Sequence, residues 1–258
     1  MNLYYSFFKI QLKSQLQHIS SFLFLILGQF LTTFMTIFGI FFLLSRFQGI
    51  GGFSLYEVLL NAAIMNLSFA LSELFARGFD NFSYMIGNGQ FDRILLRPKS
   101  IVLQVLASQI EFSRIGRVVQ ALLVFAYILP RLPITWDLWH LFTLLVMILA
   151  TVGMFCNLFF LVASLSFFTL EGLEVMNILT DGGREFGQYP FSIYGKKVLK
   201  MLTYCIPLAL VQYYPFLYLI GKSSDKRLLI LPILAQLFVL PVYLVWKIGL
   251  NNYQSTGS

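Results

Sequence analysis

Residues 20–44 read SSFLFLILGQFLTTFMTIFGIFFLL, with no charged side chain, and Arg46 closes the run. A helix needs about 20 apolar residues to cross a hydrocarbon core of about 30 Å, so this stretch is long enough to span a bilayer. Its surroundings agree. Over 258 residues, hydrophobic side chains make up 58% and charged ones 11%, and mean hydropathy is +0.79. A typical soluble domain carries roughly 45–50% and about 25%, so a soluble fold of this length would lack the charge to cover its surface. The 28 Phe and 13 Tyr exclude a disordered chain. Cys156 and Cys205 are the only cysteines, which excludes a disulfide framework. The fold class is all-α integral membrane.

Upstream of the run, Tyr5, Phe8, Leu12, Leu16 and Ile19 share one helical face, and Ser6, Lys9, Lys13 and Gln17 another. That is the pattern of a helix lying in the membrane interface over residues 1–19. The apolar run is too long for a signal-peptide core, and no small-residue cleavage site follows it.

Downstream, glycines at 49, 51 and 52 lead into a second run, Leu55 to Phe75, which carries Glu57, Asn61, Asn66, Ser72 and Glu73. The third run has its membrane part at Phe112 to Leu129, with Arg114 and Arg117 expected to snorkel to the surface. Pro130 and Pro133 stop it. A fourth run covers Leu138 to Phe168, with Trp136 and Trp139 suited to an interfacial belt. The last is Leu228 to Ile248.

The fifth crossing has two readings. Met201 to Ile220 is apolar but holds Pro207 and Pro215. The alternative is Leu173 to Gln188, a polar, protein-buried span with Glu174, Asp181, Arg184 and Glu185, which makes Lys196 to Ile220 a broken re-entrant hairpin. Both give six spans with the termini on one side. Over the first four spans that side holds Lys9, Lys13, Arg77, Arg93, Arg97, Lys99, Arg114 and Arg117, against Arg46 and Arg131 opposite. The positive-inside rule therefore puts both termini in the cytoplasm. Lys196, Lys197 and Lys200 count against the hairpin reading, which puts them outside.

The net charge of +7 does not indicate nucleic acid, because the basic residues sit in short clusters between apolar runs, where they set orientation and touch anionic lipid. No phosphate-binding glycine loop, nucleophile elbow or zinc-protease motif is present. His18 and His140 lack neighbouring ligands, so no metal site is expected. Glu57 and Glu73 stand near opposite ends of one span, which leaves an intramembrane enzyme without a paired acid and base.

The longest cytoplasmic connection, Arg77 to Ser100, is rich in apolar side chains. Gly87-Asn88-Gly89 marks a turn between short helical pieces at Asp80–Ile86 and Gln90–Leu96. Phe82, Tyr84, Met85, Ile86 and Phe91 are costly to leave in water, so either a soluble partner covers them or they dip into the headgroup layer.

The run Gly89-Gln90-Phe91-Asp92-Arg93-Ile94-Leu95-Leu96-Arg97-Pro98 resembles the Gly-x-x-Asp-x-x-Leu-x-Arg-Pro signature of permease subunits of bacterial ATP-binding-cassette exporters of the type-2 superfamily. Ser113-Arg114-Ile115-Gly116-Arg117, Gln188-Tyr189-Pro190-Phe191-Ser192-Ile193-Tyr194, Ile206-Pro207-Leu208 through Tyr213-Tyr214-Pro215, and the terminal Tyr253-Gln254-Ser255-Thr256-Gly257-Ser258 also fit. Where a Phe-Trp pair is expected after the fourth run, this chain has Phe167-Phe168.

The resemblance implies one transmembrane domain over 1–258, with an interfacial helix at 1–19, a coupling loop at 77–100 and an extracellular re-entrant region at 189–227. It implies a plasma-membrane location, no catalysis and no cofactor in this chain, with ATP and Mg held by separate ATPase subunits. It also implies a second, different permease chain. Within the loop, Phe82, Tyr84, Met85, Ile86, Gln90, Phe91, Asp92, Arg93 and Arg97 are the expected ATPase contacts. Asn61, Asn66, Asn177 and Asp181 are candidates to line a translocation cavity, since polar groups in spans suggest function. Gly28, Thr32 and Thr36 form a small-residue stripe suited to helix packing. A membrane-embedded scaffold or immunity protein without transport is the alternative function.

Overall fold

The computed structural model describes residues 2–47, 49–169 and 177–254. Among the described residues there is no β-strand, and five helical stretches are long and apolar enough to cross a membrane: Ile19–Phe47, Leu55–Gly87, Phe112–Arg131, Leu138–Leu165 and Lys226–Asn251. A sixth candidate, Lys196–Tyr204 with Leu208–Leu219, is bent by 88°. The first, third, fourth and last sequence-read spans recur with bounds shifted by at most three residues, whereas the second, read as Leu55 to Phe75, starts as expected and continues to Gly87.

Helix α1 (Asn2–Leu16) precedes α2 (Ile19–Phe47). It is tied down by glutamines. The Gln11 side chain donates to the Ala107 and Ser108 carbonyls at 2.9 Å each and accepts from the Ile110 amide at 2.7 Å, while Gln15 donates to the Ile110 carbonyl at 3.2 Å. Phe8 meets Phe112 edge-on at 4.9 Å, and Tyr4 donates to the Phe75 carbonyl. The packed face is therefore Tyr4, Phe8, Gln11, Leu12 and Gln15, whereas Tyr5, Leu16 and Ile19 are exposed.

Helix α3 (Leu55–Asp80) is the axis of the molecule. Its start is fixed by a capping box. Ser54 Oγ accepts from the Glu57 amide, and the Glu57 carboxylate accepts from the Ser54 amide at 2.8 Å. The second run is less apolar than its neighbours because protein, not lipid, surrounds it. Ala62, Ala63, Ala70 and Ala76 are fully buried and admit close neighbours, and Asn61, Asn66, Ser68 and Ser72 are buried with them. Helices α7 (Ile115–Ile128) and α8 (Leu138–Leu165) pack along it. Gly116 sets how near α7 and α2 come. A Cβ built there would lie 2.1 Å from the Ile26 carbonyl oxygen and 3.0 Å from the Phe30 nitrogen, both backbone atoms.

In the last third, residues 170–176 lie outside the described region, and with them the first part of the proposed span at 173–188. From Asp181 the chain forms α9 (Asp181–Gly187) and climbs the flank of α3 toward its Leu55 end. Arg184 lies over the Phe69 ring at 5.1 Å, the Gly187 carbonyl accepts from Asn61 at 2.8 Å, and Ile193 abuts Gly51. Then α10 (Lys196–Tyr204), α11 (Leu208–Val211) and α12 (Tyr213–Leu219) fold down and back. The return ends at Lys222, which donates to the Gly52 carbonyl at 2.7 Å, pairs with Glu57 at 3.0 Å and sits over the Phe53 ring. This bent segment thus begins and ends beside the same loop, residues 49–54. After α13 (Leu231–Ala235), α14 (Val239–Asn251) runs down against α8.

Candidate functional site

The Asp80 end of α3 opens into α4 (Phe82–Gly87), α5 (Gln90–Leu95) and α6 (Ile101–Leu106). Gly89, at φ 65°, makes the left-handed turn between α4 and α5 that a side chain would strain. The sequence reading expected the apolar side chains here to be covered by a soluble partner or to dip into the headgroup layer. Instead Phe82, Met85, Ile86 and Phe91 are buried in this chain's own core, between 0% and 6% exposed. Of the expected ATPase contacts, Tyr84, Gln90, Arg93 and Arg97 are exposed, Tyr84 at 61%, and Asp92 is half-buried.

What covers the loop is an aromatic box. Phe82 lies 5.0 Å from Phe91, 5.2 Å from Phe167 and 5.1 Å from Trp246, between ring centroids. Phe91 meets Tyr253 edge-on at 5.0 Å, and Phe167 meets Trp246 at 5.0 Å. Phe160 closes the far side of Trp246 at 5.1 Å. Each such pair contributes about 0.5–1.5 kcal/mol beyond its area burial. The loop is thereby joined to the end of α8 and, through Trp246, to α14. Beyond α14, Tyr253 donates to the Asp92 carboxylate at 3.0 Å. Burial, and then the Asp92 bond, push the Tyr253 phenol up to about 12, so it keeps the proton it donates.

A second cluster occupies the last two turns of α3. The Glu73 carboxylate, 2% exposed, meets Arg117 at 2.7 Å, Arg114 at 3.1 Å and Arg77 at 3.4 Å, and Arg77 also pairs with Asp80 at 3.1 Å. Arg114 and Arg117 were expected to snorkel outward. They turn inward because a carboxylate buried at their depth attracts them more strongly than the surface does. Glu73 as the centre of a buried ion-pair cluster was what sequence reasoning missed. The available signal was a carboxylate in an apolar run matched by two arginines three residues apart on another helix.

The cavity candidates are not brought together. Asn61 is engaged, donating to the Gly187 and Gln188 carbonyls and receiving Gln212 at 3.1 Å, and Gln212 in turn accepts from Thr151. That network ties α3, α8, the end of α9 and the junction of α11 with α12. Asn66 is buried with its side-chain nitrogen unpartnered. Asn177 and Asp181 are exposed on the flank of the 177–188 segment. The Gly28–Thr36 stripe faces away from the rest of the chain at Gly28 and Thr32, and Thr32 and Thr36 bond back to their own helix. His140 packs on Tyr218 and bonds to Asp137, the cap of α8. No group of three metal-ligating side chains occurs among the described residues.

A family model described as "ABC-2 family transporter protein" matches residues 30–257. No curated protein and no solved structure matches the chain.

Proposed function

The chain belongs to the ABC-2 transporter family, and from that premise we propose that it is the permease of an exporter driven by ATP hydrolysis on separate ATPase subunits, which hold the ATP and Mg. The observation that carries the mechanism is the aromatic box. It makes the loop at 77–100 a rigid lever, continuous with α8 and α14, rather than a greasy flap awaiting a cover. A push on the loop tilts those spans together as a body. The docking tip is the polar remainder, Tyr84, Asn88 and Gln90, while Phe82, Met85, Ile86 and Phe91 transmit force from within. Asp92 clasps the segment after the last span, and Arg93 and Arg97 stand back from the tip on the α1 side.

The same reading has six spans. Residues 173–188 form the fifth, and 196–219 a re-entrant hairpin. Supporting it are the climb of residues 184–193 along α3 and the return of the hairpin to the loop it started from. Both termini then share the cytoplasmic face of the plasma membrane with the arginine cluster and α1, which lies in the interface. Asp181 and Asn177 do not fit against lipid. They face a cavity shared with a second, different permease chain, which Asn66 approaches from α3, whereas Asn61 is structural.

The test is purification from native membranes followed by reconstitution. An ATPase should co-purify, and ATP hydrolysis should drive substrate movement. Tyr84→Asp should release the ATPase from a folded permease, whereas Trp246→Ala should keep it bound and lower transport per ATP consumed. A chain that purifies with no ATPase in any condition overturns the reading.

A further inference from the structure

Arg93 and Arg97 line a pocket of about 360 Å³ between α1, the α4–α5 turn and α6. Phe7 of α1 forms one wall, Asn88 and Ser108 add polar edges, and no carboxylate lines it. Neither arginine makes an ion pair among the described residues. Gln104, 2% exposed, also lines it. Its amide nitrogen is committed to the Lys99 and Ile94 carbonyls at 3.1 and 3.4 Å, which fixes the amide orientation. Its side-chain oxygen is left buried with no partner. The pocket therefore offers two guanidinium forks for an anion and one carbonyl acceptor that needs a donor.

We propose that this pocket binds the headgroup of an anionic glycerophospholipid, with the phosphate on Arg93 and Arg97 and a headgroup hydroxyl donating to Gln104. Guanidinium forks match phosphate oxygens in pairs. A bare phosphate would not satisfy Gln104, whereas a phosphoglycerol carries both the anion and the hydroxyl. Phe7 supplies an apolar edge where the acyl chains leave, and Lys9 and Lys13 on the exposed side of α1 draw anionic lipid to it. The proposal rests on the reading of α1 as lying in the membrane interface. A bound lipid would brace α1 against the lever loop, so that lipid composition tunes the coupling.

The experiment uses the full chain purified in a neutral detergent, titrated with short-chain phosphatidylglycerol, short-chain phosphatidylcholine and inorganic phosphate, read by thermal shift and by native mass spectrometry. Phosphatidylglycerol should stabilise the wild-type chain and phosphatidylcholine should not. Loss of one arginine should weaken binding on the order of tenfold, since a hydrogen bond to a charged group is roughly that strong. Arg93→Gln with Arg97→Gln should abolish the stabilisation, and Gln104→Leu should weaken it, whereas Lys9→Gln with Lys13→Gln should leave most of it. Equal binding of inorganic phosphate, or phosphatidylglycerol binding unchanged in the double arginine variant, overturns the proposal. So does intact lipid binding in that variant accompanied by loss of a co-purifying ATPase, which assigns the pocket to an acidic segment of the protein partner. The need of the chain for detergent to stay monodisperse reads the membrane assignment separately.

Discussion

Replacing Glu73 by Gln keeps the volume of the side chain and removes its charge. The carboxylate is 2% exposed and holds three guanidiniums at 2.7, 3.1 and 3.4 Å. In the variant Arg114 and Arg117 lose their ion-pair partner, and Arg77 keeps only Asp80. Removing one partner of a buried pair costs about 3–5 kcal/mol. Arg114 and Arg117 retain 12% and 13% exposure, so some water reaches them and the low end, about 3 kcal/mol, applies. For a chain of this size that lowers the melting temperature by roughly 6–12 °C. The assay is thermal unfolding of the detergent-purified chain by tryptophan fluorescence, with helix content checked by circular dichroism. High salt should leave the shift nearly intact, because a buried pair is weakly screened. A second variant, Glu73→Gln with Arg117→Gln, should recover about half the loss, since it removes the most closely held unpaired cation. A single variant that melts within about 2 °C of wild type would falsify the account of α3 and α7 as clamped by charge.

Tyr253→Phe removes the bond to Asp92 and keeps the ring against Phe91, so stability should fall by about 1 kcal/mol while the ring packing persists, measured by the same melts. With the Tyr253 phenol raised from 10 to about 12, that contribution is fully present below pH 10 and is lost as pH rises through about 12. Melts of wild type and Tyr253→Phe should therefore converge only in that alkaline window; a constant gap across it rejects the assignment. Gly116→Ala drives a methyl group into the backbone of α2 and should destabilise by about 1–3 kcal/mol, detectable as lowered detergent stability. Cysteine placed at Lys196 should react with an impermeant thiol reagent from outside intact cells, and protection there would favour Met201–Ile220 as the crossing.

The spans were legible because each is a long apolar run between charges, and the bilayer imposes a length that sequence displays directly. The bent segment at 196–219 was harder. Pro207 and Pro215 announced a break, but only the contacts of Ile193 with Gly51 and of Lys222 with Gly52 place the chain on either side of it. The loop aromatics were noticed for the right reason and assigned to the wrong cover. Exposed-looking Phe82 and Phe91 do need burial, and a sequence cannot say that Trp246 and Tyr253, far along the chain, provide it. Arg114 and Arg117 failed similarly, since snorkelling and inward pairing leave the same trace until the depth of Glu73 is known. Asn61 carried an ambiguity that only its neighbours resolve. A polar side chain in a span lines a cavity or ties helices, and here the Gly187 and Gln188 carbonyls and Gln212 occupy it.

Because Phe82, Met85, Ile86 and Phe91 of the 77–100 loop are consumed internally, the surface proposed to meet the ATPase is left to the exposed remainder, Tyr84, the turn at Asn88 and Gln90, and the leucines Leu95 and Leu96. On the proposed reading, compatibility and leverage are thus written in different residues. A handful of substitutions at Tyr84, Asn88 and Gln90 could re-pair the permease with a foreign motor while its internal gearing travelled along untouched.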